Sequence, residues 1–415
     1  MSKDSKKKTN FLYYYQCILA ISAVLVFFTF LDVYFWQTKS ILPPVALISL
    51  FGITTFILLF FSRFLILNYI PFELIAWCVG YLAISLFSFL LVSPLSAGLA
   101  FQEVKNRILA EFFLLIMCLV FSKYPKIQNL TRIAIFLAAL LAAFNNMIEL
   151  NDPLVFGGLN PAPERAAGYY INPNRSACAL ILGIIFGVTI IPKNIRMFFS
   201  IIIFFGICLT ASRGAMLAWF IVMGIFLRLK LIPRKNFLFW VIGIITVIFV
   251  FGPFLSNVLD LNELQRSGFI NVDPKGITER LEWFQNPLAN KEDSGDARVE
   301  VVKIAWDMLS EHPILGAGIA STKNLNNMGI STHNMYLLYM AEHGIFGILI
   351  LPLLVYVVTW NSRGETKDIA WAFAVFILLW GMFSHNVVEE AYILMSFSLM
   401  AAMNMTSRLE QKSKE

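Results

Sequence analysis

Long apolar runs recur along the whole chain, and they restrict its fold more than any other feature. Many extend over roughly 16 to 20 residues, which at ~1.5 Å per helical residue is about 24–30 Å, comparable to a hydrocarbon core of ~30 Å. Hydrophobic residues make up 58% of the 415 residues and charged residues only 14%, with a mean hydropathy of +0.73. Soluble proteins are less apolar and carry more charge. The sequence therefore predicts an all-α polytopic membrane protein.

The apolar runs predict about twelve transmembrane helices. They are Phe11–Phe30, Pro43–Phe61, Phe72–Val92, Ile108–Phe121, Ile133–Leu150, Ser176–Ile191, Met197–Thr210, Ala215–Leu227, Phe237–Leu255, Asn334–Trp360, Ile369–Phe383 and Ala391–Met405. Residues 1–255 would hold the first nine helices and residues 333–415 the last three. Residues 256–332 between them would form one large loop with amphipathic helices.

Lysine and arginine residues are concentrated in alternate connections between these helices and in both tails. The rich groups are Lys3, Lys6, Lys7 and Lys8; Lys123, Lys126 and Arg132; Lys193 and Arg196; Arg228, Lys230, Arg234 and Lys235; Arg363 and Lys367; and Arg408, Lys412 and Lys414. Basic connections stay in the cytoplasm, which places both termini there and the large loop outside. Because the charges behind the net +6 are scattered between apolar runs, they do not predict nucleic-acid binding. The five cysteines lie in predicted spans, at spacings that suit neither zinc nor a disulfide framework.

Arg213 lies at the tip of a hairpin of two short spans, Met197–Thr210 and Ala215–Leu227. Each would cover only about 20 Å, so the tip would lie below the headgroup surface. An ionisable residue at that depth predicts a functional site. The other interpretation is an arginine that extends its side chain to the interface.

Arg298 belongs to an amphipathic helix predicted from Asp296 to Glu311. Its apolar face is formed by Val301, Val302, Ala305, Met308 and Leu309, and its charged face by Glu300, Lys303, Asp307 and Glu311. Arg298 is in line with the apolar face, where a guanidinium needs an anionic partner. That partner is either a carboxylate of the protein or a phosphate of a substrate, which arginine binds with two parallel hydrogen bonds.

His333 follows the large loop and opens the tenth span with Asn334. The partial positive charge of a helix N-terminus favours the neutral imidazole, which can accept a proton. Residues Gly344 to Trp360 could cross the membrane alone, so Asn334 to His343 could form an interfacial or re-entrant turn that brings Glu342 close to the outer surface.

Lys105 and Arg107 flank the start of the fourth span, and Arg175 opens the sixth. These three are candidates for added positive charge near a phosphate, or they anchor the helices at the interface. Two arginines on the outer side suit a diphosphate, and one neutral histidine can deprotonate a hydroxyl. No Asp-rich motif offers ligands for Mg²⁺, so the pattern predicts no metal and no cofactor. These residues favour glycosyl transfer from a lipid diphosphate.

Five motifs resemble those of the O-antigen ligase and polymerase superfamily. They are Gly168-Tyr-Tyr-Ile-Asn-Pro-Asn-Arg-Ser-Ala177, Leu209-Thr-Ala-Ser-Arg-Gly214, Asp296-Ala-Arg298, His312-Pro-Ile-Leu-Gly-Ala-Gly318, and Thr332-His-Asn-Met-Tyr-Leu337 with Glu342-His-Gly344. The resemblance implies a metal-independent inverting glycosyltransferase of the GT-C type in the bacterial inner membrane. Its donor would be a glycan on undecaprenyl diphosphate. Arg213 and Arg298 would bind the diphosphate, and His333 would activate the acceptor hydroxyl.

Members of this superfamily fall into two classes that share these motifs. Ligases transfer O-antigen to a sugar of lipid A–core, and polymerases transfer it to another carrier-linked repeat unit. The length and the single large loop are more typical of a ligase. A transporter for a small anion is a third interpretation, although the inverted repeats common in transporters are not evident here.

Overall fold

The computed structural model describes residues 3–62, 64–92, 97–162, 165–235, 237, 293–324 and 332–412, and over these residues the chain is helical, with no β-strand. The predicted ninth span and most of the predicted large loop lie outside the described residues. In chain order the helices are α1 (Lys3–Ala23), α2 (Leu31–Lys39), α3 (Pro44–Phe61), α4 (Phe72–Leu90), α5 (Ala97–Phe121), α6 (Pro125–Asn151), α7 (Pro173–Gly187), α8 (Arg196–Leu209), α9 (Arg213–Arg228), α10 (Asp293–Glu311), α11 (Ser321–Asn324), α12 (Met335–His343), α13 (Ile350–Thr359), α14 (Gly364–Trp380) and α15 (Ala391–Lys412).

Four of the described segments are long and apolar enough to cross a membrane, judged by length and composition: Phe11–Phe28, Pro44–Phe61, Phe72–Leu90 and Pro125–Asn151. Shorter apolar helical segments follow at Pro173–Gly187, Arg196–Leu209 and Ile345–Thr359. Only 22% of Pro44–Phe61 is buried within the protein. Many of its large apolar side chains are exposed, such as Ile53, Phe56 and Phe60. This arrangement is typical of a polytopic membrane protein, because lipid can cover such side chains.

Several helices differ from their predicted limits. α5 begins at Ala97, well before the predicted Ile108, and two charged residues in this added part, Glu103 and Arg107, are buried against protein. α2 occupies a segment predicted to be a connection. The predicted tenth span is broken at Gly344: α12 precedes this glycine, and a 3₁₀ turn, Ile345–Leu349, leads into α13. The break makes Asn334 to His343 a separate short segment, and its position as an interfacial or re-entrant turn stays a prediction.

The chain divides into two compact units. Unit 1 comprises Met1–Phe28, Ile41–Thr131 and Glu292–Glu415, and unit 2 comprises Thr29–Ser40 and Arg132–Lys291. In unit 1, α5 packs along α15, and the Ser398 hydroxyl donates to the Leu114 carbonyl oxygen at 2.8 Å. In unit 2, α7 lies against α8 and α9 and is almost entirely buried. These units group residues by packing, whereas the predicted division at 255 and 332 followed the sequence and stays a prediction.

Candidate functional site

His333 lies immediately before α12 in unit 1. The side chain of Asn334 caps this helix by accepting a hydrogen bond from the Leu337 N–H at 3.2 Å. The Met335 N–H donates to the carbonyl oxygens of Gly381 and Ser384 at 2.9 and 3.1 Å. The His333 ring is 5.5 Å from the ring of His385, centroid to centroid. The loop after α14 therefore positions the start of α12 and brings a second histidine beside His333.

Arg298 lies in α10, the amphipathic helix that the sequence predicted at this place. The predicted apolar face is confirmed for Val301, Ala305, Met308 and Leu309, which are buried, whereas Val302 is 43% exposed at its edge. Ala305 and Met308 pack against Leu337 and Ala341 of α12. The side chain of Arg298 lies outside the described part, so both possible partners stay open. The helix that carries Arg298 nevertheless packs directly on the helix that follows His333.

Glycine ends α12 because no other residue fits there. Gly344 has φ 71° and ψ −169°, and a Cβ at this position would overlap the carbonyl group of Ile314. The Ile345 N–H donates to the Pro313 carbonyl oxygen at 2.8 Å. The segment between α10 and α11 is thus held against the end of α12.

A buried polar cluster joins α4, α5 and α12. Arg107 is 1% exposed and forms an ion pair with Glu342, which is also 1% exposed. Its Nη1 atom lies 2.8 Å from Nε2 of His343 and donates to the Ser85 hydroxyl at 3.1 Å. The guanidinium carbon is 5.4 Å from the ring centroid of Tyr81 and 5.2 Å from that of Tyr339.

The sequence predicted Arg107 and Lys105 as a pair, but their environments differ. Lys105 is exposed, with its ammonium 5.2 Å from the Phe101 ring centroid. Arg107 has an anionic partner within the chain, and its predicted contribution to phosphate binding stays a prediction. Glu103, Arg107 and Glu111 are all buried and recur every four residues. This spacing puts them on one face of α5, which is a signal of burial that the sequence reasoning missed.

Arg213 is the first residue of α9 in unit 2, and its side chain is exposed. The hairpin tip of α8 and α9 is formed by Thr210, Ala211 and Ser212, with Ala211 at φ 47°. The two helices of the hairpin were predicted from the sequence, but Arg213 begins α9 instead of lying in the tip. The role of Arg213 in binding a diphosphate stays a prediction.

Arg165, which the sequence reasoning missed, fixes this hairpin tip. Its Nε donates to the Thr210 carbonyl oxygen at 2.9 Å, and its Nη2 donates to the side-chain oxygen of Asn174 at 2.9 Å. Asn174 is at the start of α7, after Pro173 and the capping residue Asn172. Arg165 thus connects the hairpin tip that precedes Arg213 with the start of the buried helix α7.

Glu149 holds the segment that carries Arg165. Its buried carboxylate accepts hydrogen bonds from the backbone N–H groups of Ala167 and Gly168, both at 2.5 Å, and from the Asn160 side chain at 3.1 Å. Arg175, in the first turn of α7, lies with its guanidinium carbon 4.9 Å from the ring centroid of Phe30. Its predicted part in phosphate binding is untested.

The described residues contain no cluster of three or more His, Cys, Asp or Glu side chains that could hold a metal ion. Metal independence itself stays a prediction. A cleft of about 560 Å³ in unit 1 contains none of the predicted site residues. It is lined by Asn68, Ile70, Pro71, Phe72, Glu73, Asn361, Arg363, Met405, Arg408, Leu409 and Gln411.

Comparison with known proteins agrees with the motifs. Residues 198–352 match the family model described as O-antigen ligase. The matched segment includes Arg213, Arg298, His333 and Glu342, and it begins after the motif at Gly168–Ala177. No curated protein sequence matches the chain. Residues 198–352 thus match the O-antigen ligase family, which agrees with the resemblance of the motifs to the O-antigen ligase and polymerase superfamily.

Proposed function

We propose that the protein is an O-antigen ligase of the bacterial inner membrane, with both termini in the cytoplasm and its site on the periplasmic face. It transfers a glycan from undecaprenyl diphosphate to a sugar hydroxyl of lipid A–core. The family domain carries this proposal, because residues 198–352 include all three residues assigned to the reaction. The packing of α10 on α12 adds support, because α10 carries Arg298 and α12 begins just after His333.

The reaction is a single displacement at the anomeric carbon of the carrier-linked sugar. His333 removes the proton of the acceptor hydroxyl as its oxygen forms the new glycosidic bond, a contribution typically worth ~10²–10⁴ in rate. The bond to the diphosphate breaks, and undecaprenyl diphosphate leaves with the electron pair. Arg213 and Arg298 stabilise its developing negative charge. The configuration at the anomeric carbon is inverted, and no metal ion takes part.

The start of α12 suits His333 for this role. A capped helix N-terminus carries partial positive charge, which favours the neutral imidazole that can accept a proton. The Asn334 cap and the two hydrogen bonds of the Met335 N–H fix the backbone next to His333. A base whose orientation is fixed in this way can accelerate the reaction more than a base that is free to move.

The test uses purified protein, undecaprenyl-diphosphate-linked glycan and lipid A–core, with EDTA present throughout. Wild-type protein should transfer the glycan, whereas His333→Ala should lose transfer while still inserting into membranes. The matched control is His312→Ala, since His312 is exposed at the end of α10. Normal transfer by His333→Ala would refute the role of the base, and activity that requires added Mg²⁺ would refute the metal-free mechanism. Transfer only to a second carrier-linked repeat would identify a polymerase instead.

A further inference from the structure

We propose that Arg107 and Glu342 are positioning residues for the transfer reaction, which hold the segment Gly316–Ala320 and the end of α12 in one arrangement against α5. This inference rests on the proposed function, and it assigns these two residues no contact with substrate. It departs from the sequence-based interpretation of Arg107 as added charge near the phosphates.

The contacts of Arg107 determine which ring nitrogen of His343 carries a proton. Arginine has only donors, so Nε2 of His343 must accept the hydrogen bond from Nη1 of Arg107. The proton of a neutral His343 is therefore on Nδ1, which donates to the Ser88 hydroxyl at 2.5 Å. A second positive charge beside Arg107 would be repelled, so His343 stays neutral. Both ring nitrogens are engaged, and His343 serves as a spacer between α4 and α5.

Glu342 connects this cluster to the segment that follows α10. Its Oε1 atom accepts a hydrogen bond from the Ala320 N–H at 2.9 Å, and its carbonyl oxygen accepts one from the Gly318 N–H at 3.2 Å. The Ala317 N–H donates to the carbonyl oxygen of Ala341 at 2.8 Å. A Cβ on Gly316 would overlap the carbonyl group of Glu342, so the two backbones are already at closest approach.

These contacts leave the end of α12 little freedom to move. One carboxylate is bound by Arg107 from α5 and by Ala320 from the Gly316–Ala320 segment. That segment follows α10, which packs on α12, so a shift at Glu342 displaces both helices. α12 is a nine-residue helix with His333 at its other end. A misplacement of about 1 Å can lower a rate by ~10²-fold even when it arises far from the reacting atoms.

Stability alone does not account for this pair. A buried ion pair costs so much desolvation that apolar residues of similar volume are often as stable or more so. Removal of one partner is strongly destabilising, because an uncompensated charge remains buried. Removal of both charges should therefore restore stability and leave only the loss of positioning to be measured.

The experiment compares wild type, Glu342→Gln, and the double variant Arg107→Met with Glu342→Gln. Glutamine keeps an acceptor for the Ala320 N–H while it removes the charge. The single variant should unfold at a lower temperature and lose transfer. The double variant should unfold near the wild-type temperature, with kcat reduced about 10- to 100-fold and KM for the donor little changed. Hydrogen exchange at the amides of Ala317, Gly318 and Ala320 should be faster than in wild type.

A double variant with wild-type kcat and wild-type exchange would overturn the positioning role. If that variant does not fold, Arg107→Lys takes its place, because an ammonium keeps the charge but cannot contact Ser85, Glu342 and His343 together. It should also lower kcat, and wild-type kcat there would equally overturn the inference. The matched control is Glu73→Gln, which breaks the exposed Arg408–Glu73 pair at 3.3 Å in the same unit and should change neither measurement.

The exchange measurement also separates this inference from the proposed function. If wild-type protein transfers no glycan, the proposed function fails. The exchange rates of the three amides still report whether the ion pair holds the segment. Active wild type with an unaffected double variant would refute only the positioning role.

Discussion

Gly344→Ala should destabilise unit 1 and lower transfer activity. The backbone at Gly344, φ 71° and ψ −169°, belongs to a region that only glycine adopts readily, and a forced side chain there costs about 1–3 kcal/mol. The new Cβ would overlap the carbonyl group of Ile314 and lie 2.8 Å from the Leu315 nitrogen, whereas normal contacts need about 3.5 Å. Relief of this overlap must move the backbone, which weakens the hydrogen bond from Ile345 to Pro313, worth about 0.5–1.5 kcal/mol.

Together these effects amount to about 1.5–4.5 kcal/mol, or a decrease of about 3–18 °C in the unfolding temperature. Thermal unfolding of the purified protein in detergent, followed by intrinsic fluorescence, measures this decrease. The matched control is Gly80→Ala in α4, where a Cβ meets nothing within 4 Å and alanine improves the helix propensity. Equal unfolding temperatures for the two variants would refute the assignment of Gly344 as an obligatory glycine. Unchanged transfer in Gly344→Ala would show that the end of α12 need not be fixed for the reaction.

Two further predictions concern unit 2. Arg213→Lys should raise KM for the donor or lower kcat by at least about tenfold, because an ammonium cannot bind a diphosphate with two parallel hydrogen bonds. The control is Arg228→Lys, at the exposed far end of the same helix. Full activity of Arg213→Lys would remove Arg213 from the site. Glu149→Gln should cost about 1–3 kcal/mol of stability, since glutamine keeps only one neutral acceptor and replaces the other carboxylate oxygen with an NH2 donor at a buried site. An unfolding temperature equal to that of Glu300→Gln, an exposed site, would contradict this prediction.

Sequence patterns predicted the local features well, because the forces that produce them act over a few residues. Apolar runs predicted the long helices α3, α4 and α6, and amphipathic spacing predicted α10 with most of its buried face. Asn334 caps α12 through the backbone N–H three residues later. Since lipid supplies the same apolar surroundings everywhere along a span, such patterns say little about which helices are neighbours.

The break at Gly344 could not be predicted from local sequence patterns. The sequence allowed the segment from Asn334 to Trp360 to be one span, or an interfacial or re-entrant turn followed by a shorter span. The choice depends on the backbone of Ile314, which approaches Gly344 so closely that a side chain has no room. No periodicity within the segment reports that approach, because the neighbour comes from a different part of the chain.

The sequence by itself predicted a helical chain with apolar segments long enough to span a membrane, and it supplied the motifs that resemble the O-antigen ligase superfamily and the candidate residues for the reaction. Only the tertiary structure decided that Arg107 is buried and paired with Glu342, which is 235 residues further along the chain. The physical reason is that helix formation depends on neighbours three or four residues away. A buried charge instead requires a partner that the packing of distant helices supplies.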